Sequence, residues 1–150
     1  MKKTRVNTLT KKLILLLFSV MILISLDSYA KKFSFLSSSV VPAARGYVNV
    51  KRDKNKNYVI EVKVSNLAEV NRLQPSKQAY VIWMITDQEI TKNIGRLNSS
   101  TTALSTKLKA SYETSSSSKP VKIFITAEDD AGIQSPSEQV ILSTDRFFLD

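Results

Sequence analysis

The stretch GYVNVKRDKNKNYVIEVKVSNL, residues 46–67, decides the fold class of this chain. Apolar and polar residues alternate on both sides of a polar centre at residues 53–57. Successive side chains of a β-strand point to opposite faces, so this alternation predicts strands with one buried and one wet face. Two such runs around a polar turn predict a β-hairpin. Its predicted core face consists of Val48, Val50, Ile60, Val62 and Val64.

Two short apolar runs further along the chain predict strands that are covered on both faces. They are AYVIWMIT at residues 79–86 and VKIFITAE at residues 121–128, and both are rich in β-branched and aromatic residues. Shorter strands are predicted at residues 93–98, 103–112 and 138–144, with polar turns between them.

These patterns add up to about seven strands, and no helical stripe is visible after residue 30. The predicted fold class is therefore all-β, an antiparallel β-sandwich of immunoglobulin-like type. The sandwich is predicted to span residues 45–150, after a Ser-rich lead-in at residues 31–44, and the Ser-rich segment 113–120 is predicted to be a solvated loop. The other predicted core positions are Val81, Trp83, Ile85, Ile123, Ile125, Val140 and Leu142.

The N-terminus predicts an export signal. A basic head without acids, residues 1–12, precedes an apolar run at residues 13–26 and a small-residue end at Ser28 and Ala30. This is the pattern of a secretory signal peptide, so residues 1–30 are predicted to be removed and the protein to be periplasmic or secreted. A membrane span needs about 20 apolar residues, and retention of an uncleaved N-terminus as a membrane anchor is the alternative.

Composition excludes several kinds of chemistry. The chain has no Cys and no His, which excludes disulfides, thiolate or imidazole metal sites and Ser-His-Asp catalysis. No glycine-rich phosphate loop is present, so no cofactor and no metal are expected. Without the first 30 residues, Lys+Arg falls from 22 to 17 and Asp+Glu from 13 to 12, which lowers the net charge from +9 to +5. This mild excess favours anionic surfaces.

Three consecutive acids, Glu128, Asp129 and Asp130, raise the question of a catalytic site. Glu128 ends a predicted strand, and Asp129 and Asp130 precede Gly132 and Pro136, which are turn residues. Asp side chains favour turns because they accept hydrogen bonds from nearby backbone amides. A turn is therefore the preferred interpretation. The alternatives are a metal or ligand site, and a hydrolase that uses Glu128 and Asp130.

A candidate binding site lies at the tip of the predicted hairpin. Basic residues crowd this tip, and a solvated edge that discourages strand pairing is the simpler interpretation. Contact with an anionic envelope polymer or with lipid headgroups is the functional one. The candidate binding residues are Lys51, Arg52, Lys54 and Lys56, with Lys63 on the same hairpin.

The aromatic pair Tyr80 and Trp83 has two interpretations. A lone Trp in the middle of a strand usually packs in the core of a sandwich. The alternative is an aromatic ligand platform formed with Tyr80. Nucleic acid is not expected as a partner, because an exported protein with so few exposed aromatic residues is poorly suited to stack on bases.

Three segments, YVIWMI (80–85), NIGRLN (93–98) and IFITAEDDAGIQSPSEQVILST (123–144), resemble the extracytoplasmic C-terminal domain of anti-sigma-K factors. The resemblance covers roughly half of the chain and implies a β-sandwich that senses or stabilises outside the membrane, without catalytic residues. The matching positions are Tyr80, Trp83, Gly95, Thr126, Glu128, Pro136, Val140 and Leu142.

The chain departs from that family at its N-terminus. Only 12 residues precede the apolar run, too few for the sigma-binding helical domain, so the chain looks like a stand-alone exported version, similar to short secreted proteins of Bacteroidetes-type bacteria. The expected function is that of an exported, non-enzymatic binding or structural module of the bacterial cell envelope. Its expected partner is an envelope protein or an anionic envelope surface. The alternative is a membrane-anchored accessory protein in anti-sigma-like envelope signalling, in which case the membrane is a partner.

Overall fold

The computed structural model describes residues 7–23, 29–97, 99–100 and 108–149. These residues form one α-helix, nine β-strands and a short 3-10 turn at Val70–Arg72. The elements are α1 (Thr8–Leu23), β1 (Lys31–Ser34), β2 (Arg45–Arg52), β3 (Tyr58–Leu67), β4 (Ala79–Thr86), β5 (Thr91–Leu97), β6 (Ser99–Ser100), β7 (Leu108–Ser116), β8 (Pro120–Glu128) and β9 (Val140–Ser143).

The strands form two antiparallel sheets, as the sequence predicts. One sheet has five strands in the order β1-β2-β3-β7-β6, and the other has four in the order β5-β4-β8-β9. If β2 is taken as strand A of an immunoglobulin domain, β3, β7 and β6 correspond to strands B, E and D of the same sheet. Strands β4, β8 and β9 then correspond to C, F and G of the other sheet, which is the immunoglobulin arrangement. The fold class is therefore confirmed as an all-β sandwich, with nine described strands instead of about seven.

The predicted hairpin is strands β2 and β3, joined by the turn at residues 53–57. Val48 lies opposite Val62 and Val50 opposite Ile60, so the alternation places all these apolar side chains on one face. That face packs against Ile82 and Ile123 of the other sheet, with the side chains buried. This interdigitation of two inner faces is the main apolar burial of the sandwich.

The four-stranded sheet is covered on its outer face as well. Val81, Trp83 and Phe124 point away from the main core, and the Trp83 and Phe124 rings stack with centroids 6.3 Å apart. The segment 129–139 between β8 and β9, which we call the covering loop, packs its Ala131 and Ile133 side chains against this second cluster. Strand β4 is therefore buried on both faces, as its continuous apolar sequence predicts.

A β-bulge on β5 ties the two sheets and the covering loop together. Ile82 pairs with Gly95 and Trp83 with Asn93, so Ile94 is the extra residue of the bulge. The Tyr112 hydroxyl of β7 donates to the Ile94 carbonyl at 2.7 Å, which links the two sheets. The Asn93 amide donates to the carbonyls of Ala131 and Ile133, at 2.9 and 3.0 Å, and so holds the covering loop.

The opposite side of the sandwich is closed by contacts between β1 and the C-terminal tail, residues 144–149. Phe35 and Thr144 form an isolated antiparallel bridge, and the Leu36 amide donates to the Ser143 carbonyl at 2.9 Å. The Phe33 and Phe147 rings stack at 4.0 Å with an interplanar angle of 12°. The first and last described parts of the sandwich therefore meet at one edge.

The structure includes in the sandwich a segment that the sequence placed before it. Lys31–Ser34 is strand β1, and Phe35, Val41 and Ala44 belong to the main core. The sandwich therefore begins at Lys31 rather than at residue 45. The sequence did not predict this edge strand for two reasons. Four residues are too few to show an alternation, and the segment that contains them is Ser-rich.

Two other expectations were wrong. The segment predicted as a solvated loop at 113–120 forms the end of β7 up to Ser116, because β3 is long and these residues complete its ladder. Val140 is 41% exposed and Ile85 is only partly buried, so neither fills the core as predicted. The part of the predicted strand 103–112 that precedes Leu108, and the end of the N-terminal apolar run at residues 24–28, lie outside the described residues.

Candidate functional site

The hairpin tip is a hydrogen-bonded turn that presents lysines to solvent. The Asp53 carboxylate accepts hydrogen bonds from the backbone amides of Asn55 and Asn57, both at 2.8 Å. The backbone amide of Asp53 donates to the backbone carbonyl of Asn57. Lys56 closes the turn with φ at 66°. Because the turn is held by its own Asp and Asn groups, the exposed Lys54 and Lys56 side chains remain available at its surface.

The four predicted site residues do not all have the same surroundings. Lys51, Lys54 and Lys56 are exposed, with Lys51 on the outer face of β2. Arg52 is exposed as well, but it donates to the Tyr58 hydroxyl at 2.5 Å, and its guanidinium lies 4.8 Å from the Tyr58 ring centroid. Arg52 therefore secures the base of the hairpin, while the three lysines form the accessible cationic group.

Among the residues after position 30, positive charge is concentrated on the five-stranded sheet. Strands β1, β2, β3, β6 and β7 and the hairpin turn contain nine of the 17 basic residues that follow position 30, but only three of the 12 acidic ones. The rest of this part of the chain has eight basic and nine acidic residues and is nearly neutral. The basic residues of the charged sheet and its turn are Lys31, Lys32, Arg45, Lys51, Arg52, Lys54, Lys56, Lys63 and Lys109.

This charge concentration was only partly visible in the sequence. The alternation of the hairpin identified Lys51 and Lys63 on one wet face. Lys32 and Lys109 join them only because β1 and β7 pair with β2 and β3. Those pairings connect segments far apart in the chain, and no local pattern records which strands will be neighbours.

Glu128, the first of the three acids, is a buried structural residue. Its side chain is 3% exposed, and Oε1 accepts hydrogen bonds from the Thr126 hydroxyl at 2.5 Å and the Ser137 amide at 2.9 Å. The Thr126 hydroxyl in turn accepts the Trp83 indole N–H at 2.7 Å. A continuous chain of hydrogen bonds therefore connects the indole, the hydroxyl, the carboxylate and the covering loop.

The other two acids occupy the surface of the turn. Asp130 accepts the Gly132 amide at 2.8 Å, which is the predicted turn chemistry, and Asp129 pairs with Lys77 at 2.8 Å. Both acids are exposed, whereas Glu128 is buried on the preceding strand. The preferred turn interpretation is therefore correct for Asp130, and the structure gives the three acids three separate roles.

The two aromatic residues of β4 point to opposite faces. Trp83 is fully buried beneath the covering loop. Tyr80 belongs to the main core, where its hydroxyl donates to the Ala68 carbonyl at 2.9 Å. Burial disfavours the phenolate and raises the pKa of Tyr80 to about 12. The proposed aromatic platform does not form, and Trp83 has the packing role that the sequence favoured.

Helix α1 has exposed apolar side chains on all sides. Leu13, Ile14, Leu15, Leu16 and Leu17 are between 58% and 71% exposed although they are consecutive. A helix that is apolar all round is suited to an apolar environment. Within the part of the chain that the structure describes, no helix is both long and apolar enough to span a membrane. Tyr29 and Ala30, at the predicted cleavage site, are exposed.

The described residues contain no group of three or more acidic side chains that could hold a metal ion. Searches against protein-family models, curated proteins and solved structures gave no match for this chain.

Proposed function

We propose that this chain is an exported, non-enzymatic binding module of the bacterial cell envelope, which contacts an anionic surface through its hairpin tip. The observation that carries the proposal is the segregation of charge, with nine basic against three acidic residues on the five-stranded sheet and its turn. A sheet of one dominant sign attracts an oppositely charged surface and orients the molecule toward it. The buried structural role of Glu128 supports binding rather than acid–base catalysis as the activity.

The tip is tested by reversing its charge. The triple variant Lys51→Glu, Lys54→Glu, Lys56→Glu is expected to bind at least about tenfold more weakly to vesicles that contain an anionic lipid, because each lysine near such a surface contributes up to about 1 kcal/mol. Binding of the unaltered protein should also decrease with added salt, which screens exposed charges. The measurement is cosedimentation at low and at near-physiological salt, with vesicles and separately with envelope fragments.

A matched control separates the tip from net charge. The variant Lys92→Glu, Lys119→Glu, Lys122→Glu changes the total charge by the same amount, but these lysines lie on or beside strands β5 and β8 of the other sheet. It is expected to keep most of the binding. Equal losses in both variants would mean that net charge alone drives association, and no loss in either would remove the tip from the proposal.

The second candidate function is that of a membrane-anchored accessory protein in envelope signalling, as the resemblance to anti-sigma-K outer domains implies. The apolar surface of α1 on all its sides favours it, because an uncleaved α1 would hold the sandwich at the membrane.

N-terminal sequencing of the protein from an envelope fraction distinguishes the two functions. We expect the mature chain to begin at Lys31, because the small-residue pattern ends at Ala30, the residue before it. An intact N-terminus in the membrane fraction would instead favour the anchored form.

A further inference from the structure

A groove of about 490 Å³ lies on the outer face of the five-stranded sheet, toward the end opposite the hairpin tip. Its walls come from two neighbouring rows of outward side chains. Tyr47, Lys63 and Ser111 form one row, and Ser65 and Lys109 belong to the next. Rows are about 7 Å apart and three strands are about 10 Å across, so the groove is wide and shallow, within the size range of small-molecule sites.

The groove walls combine hydroxyls with cations. The hydroxyls are those of Tyr47, Ser65 and Ser111, and the cations are the ammonium groups of Lys63 and Lys109. The backbone of β3 and β7 forms the floor, since Val64 and Ala110 line the groove while their side chains are buried in the core. Such walls offer several hydrogen-bond donors and acceptors and two positive charges, but no apolar anchor apart from the Tyr47 ring.

The cations of the groove are differently constrained. Glu61 lies 2.6 Å from Lys63 and, by accepting its hydrogen bond, raises the pKa of Lys63. Among the described residues, no carboxylate pairs with Lys109. Lys32 adds a third cation, because its ammonium lies 3.8 Å from the Tyr47 ring centroid. Two carboxylates lie near Lys63, namely its partner Glu61 and Glu113, which is opposite Glu61 on β7. The three cations Lys32, Lys63 and Lys109 therefore exceed the nearby carboxylates by one.

The chemistry of the groove restricts its occupant. A peptide strand would need a sheet edge or an apolar pocket, and the groove is on a sheet face with polar walls. Single-stranded nucleic acid would need several aromatic side chains for stacking, and the groove has only Tyr47. A molecule with many hydroxyls and a carboxylate matches the hydroxyls and the lysines together.

We infer that this groove binds an acidic oligosaccharide, with its carboxylate toward Lys63 and Lys109 and its hydroxyls toward Tyr47, Ser65 and Ser111. The groove is separate from the hairpin tip, so this inference goes beyond the proposed function, and the two can fail independently. Variants of the hairpin tip test the proposed function, and variants of the groove test this inference.

The test is a calorimetric titration of the full chain with an oligogalacturonate at near-physiological salt. We expect the double variant Tyr47→Phe, Lys109→Gln to bind at least about tenfold more weakly, which corresponds to about 1.4 kcal/mol. Lys92→Gln on strand β5 is the matched control and is expected to bind like the unaltered protein. The triple tip variant is expected to change the affinity less than about threefold, since charges beyond about 8 Å are screened at this salt.

Several results would overturn the inference. They are the absence of binding, equal affinity for a neutral maltooligosaccharide, equal affinity for inorganic polyphosphate or a single-stranded oligonucleotide, and insensitivity to the double variant. Lys109 is exposed and Tyr47 is only partly buried, so the double variant is expected to fold. The fluorescence of Trp83, the only Trp of the chain, verifies this in each variant.

Discussion

Replacing Gly95 with alanine is expected to lower the free energy of unfolding by about 3–5 kcal/mol. Two costs combine at this position. Gly95 has φ at +147°, a conformation that residues with a Cβ atom rarely adopt. A Cβ atom there would also overlap the hydroxyl and ring of Tyr112, whose hydroxyl donates to the adjacent Ile94 carbonyl. Urea unfolding followed by Trp83 fluorescence measures the loss.

Gly132→Ala is the matched control for this prediction. The nearest atom to a Cβ at Gly132 is the Asp130 carboxylate oxygen at 3.5 Å, an ordinary contact, so we expect a change of less than about 1 kcal/mol. Part of the destabilisation by Gly95→Ala comes from overlap with the Tyr112 ring. Tyr112→Ala should therefore lower the free energy of unfolding less in the Gly95→Ala background than in the unaltered protein. Strictly additive losses would show that the Tyr112 ring is not the obstacle.

Glu128→Ala is expected to destabilise the protein by about 3 kcal/mol, because it removes the acceptor shared by the buried Thr126 hydroxyl and the half-buried Ser137 amide. The Thr126 hydroxyl and the Ser137 amide would both lose this acceptor, and the covering loop would lose one of its hydrogen bonds to the sheet. The same denaturant titration applies, and Trp83 emission in the native state should shift toward that of a solvated indole.

Two further variants identify the physical cause. Glu128→Gln keeps an oxygen acceptor at the same place, so it should lose less stability than Glu128→Ala. Asp130→Ala removes only an exposed turn hydrogen bond, and we expect a loss of less than about 1 kcal/mol. If Glu128→Ala left stability unchanged, the carboxylate would not be structural, and the hydrolase alternative for Glu128 and Asp130 would gain support.

The sequence predicted the fold class because alternation is a local property. The hairpin of β2 and β3, the doubly covered strands β4 and β8, and the buried Trp83 follow from patterns within ten residues. The position of β1 and the extension of β7 could not be predicted in this way. Those segments are polar and Ser-rich, and they become strands because β2 and β3 offer them unpaired backbone groups.

Whether each candidate site could be predicted also depends on how close its residues are in the sequence. The hairpin tip could be predicted because its lysines are neighbours in the chain. The groove could not, since Tyr47, Lys63 and Lys109 come from three strands whose order is a tertiary property. The role of Glu128 was hidden for a related reason, because its partner Ser137 lies nine residues further along the chain and only the folded covering loop brings the two together.

The bridge between Phe35 and Thr144, with the stacked Phe33 and Phe147 rings, has a consequence for synthesis. These contacts join residues that lie more than one hundred positions apart, and such closures are slow to form. The sandwich cannot complete its closed edge until residue 147 has emerged from the ribosome or from a translocation channel. If the protein is exported as proposed, the sandwich therefore stays incompletely folded during its passage, and its closed edge forms only after residue 147 has crossed.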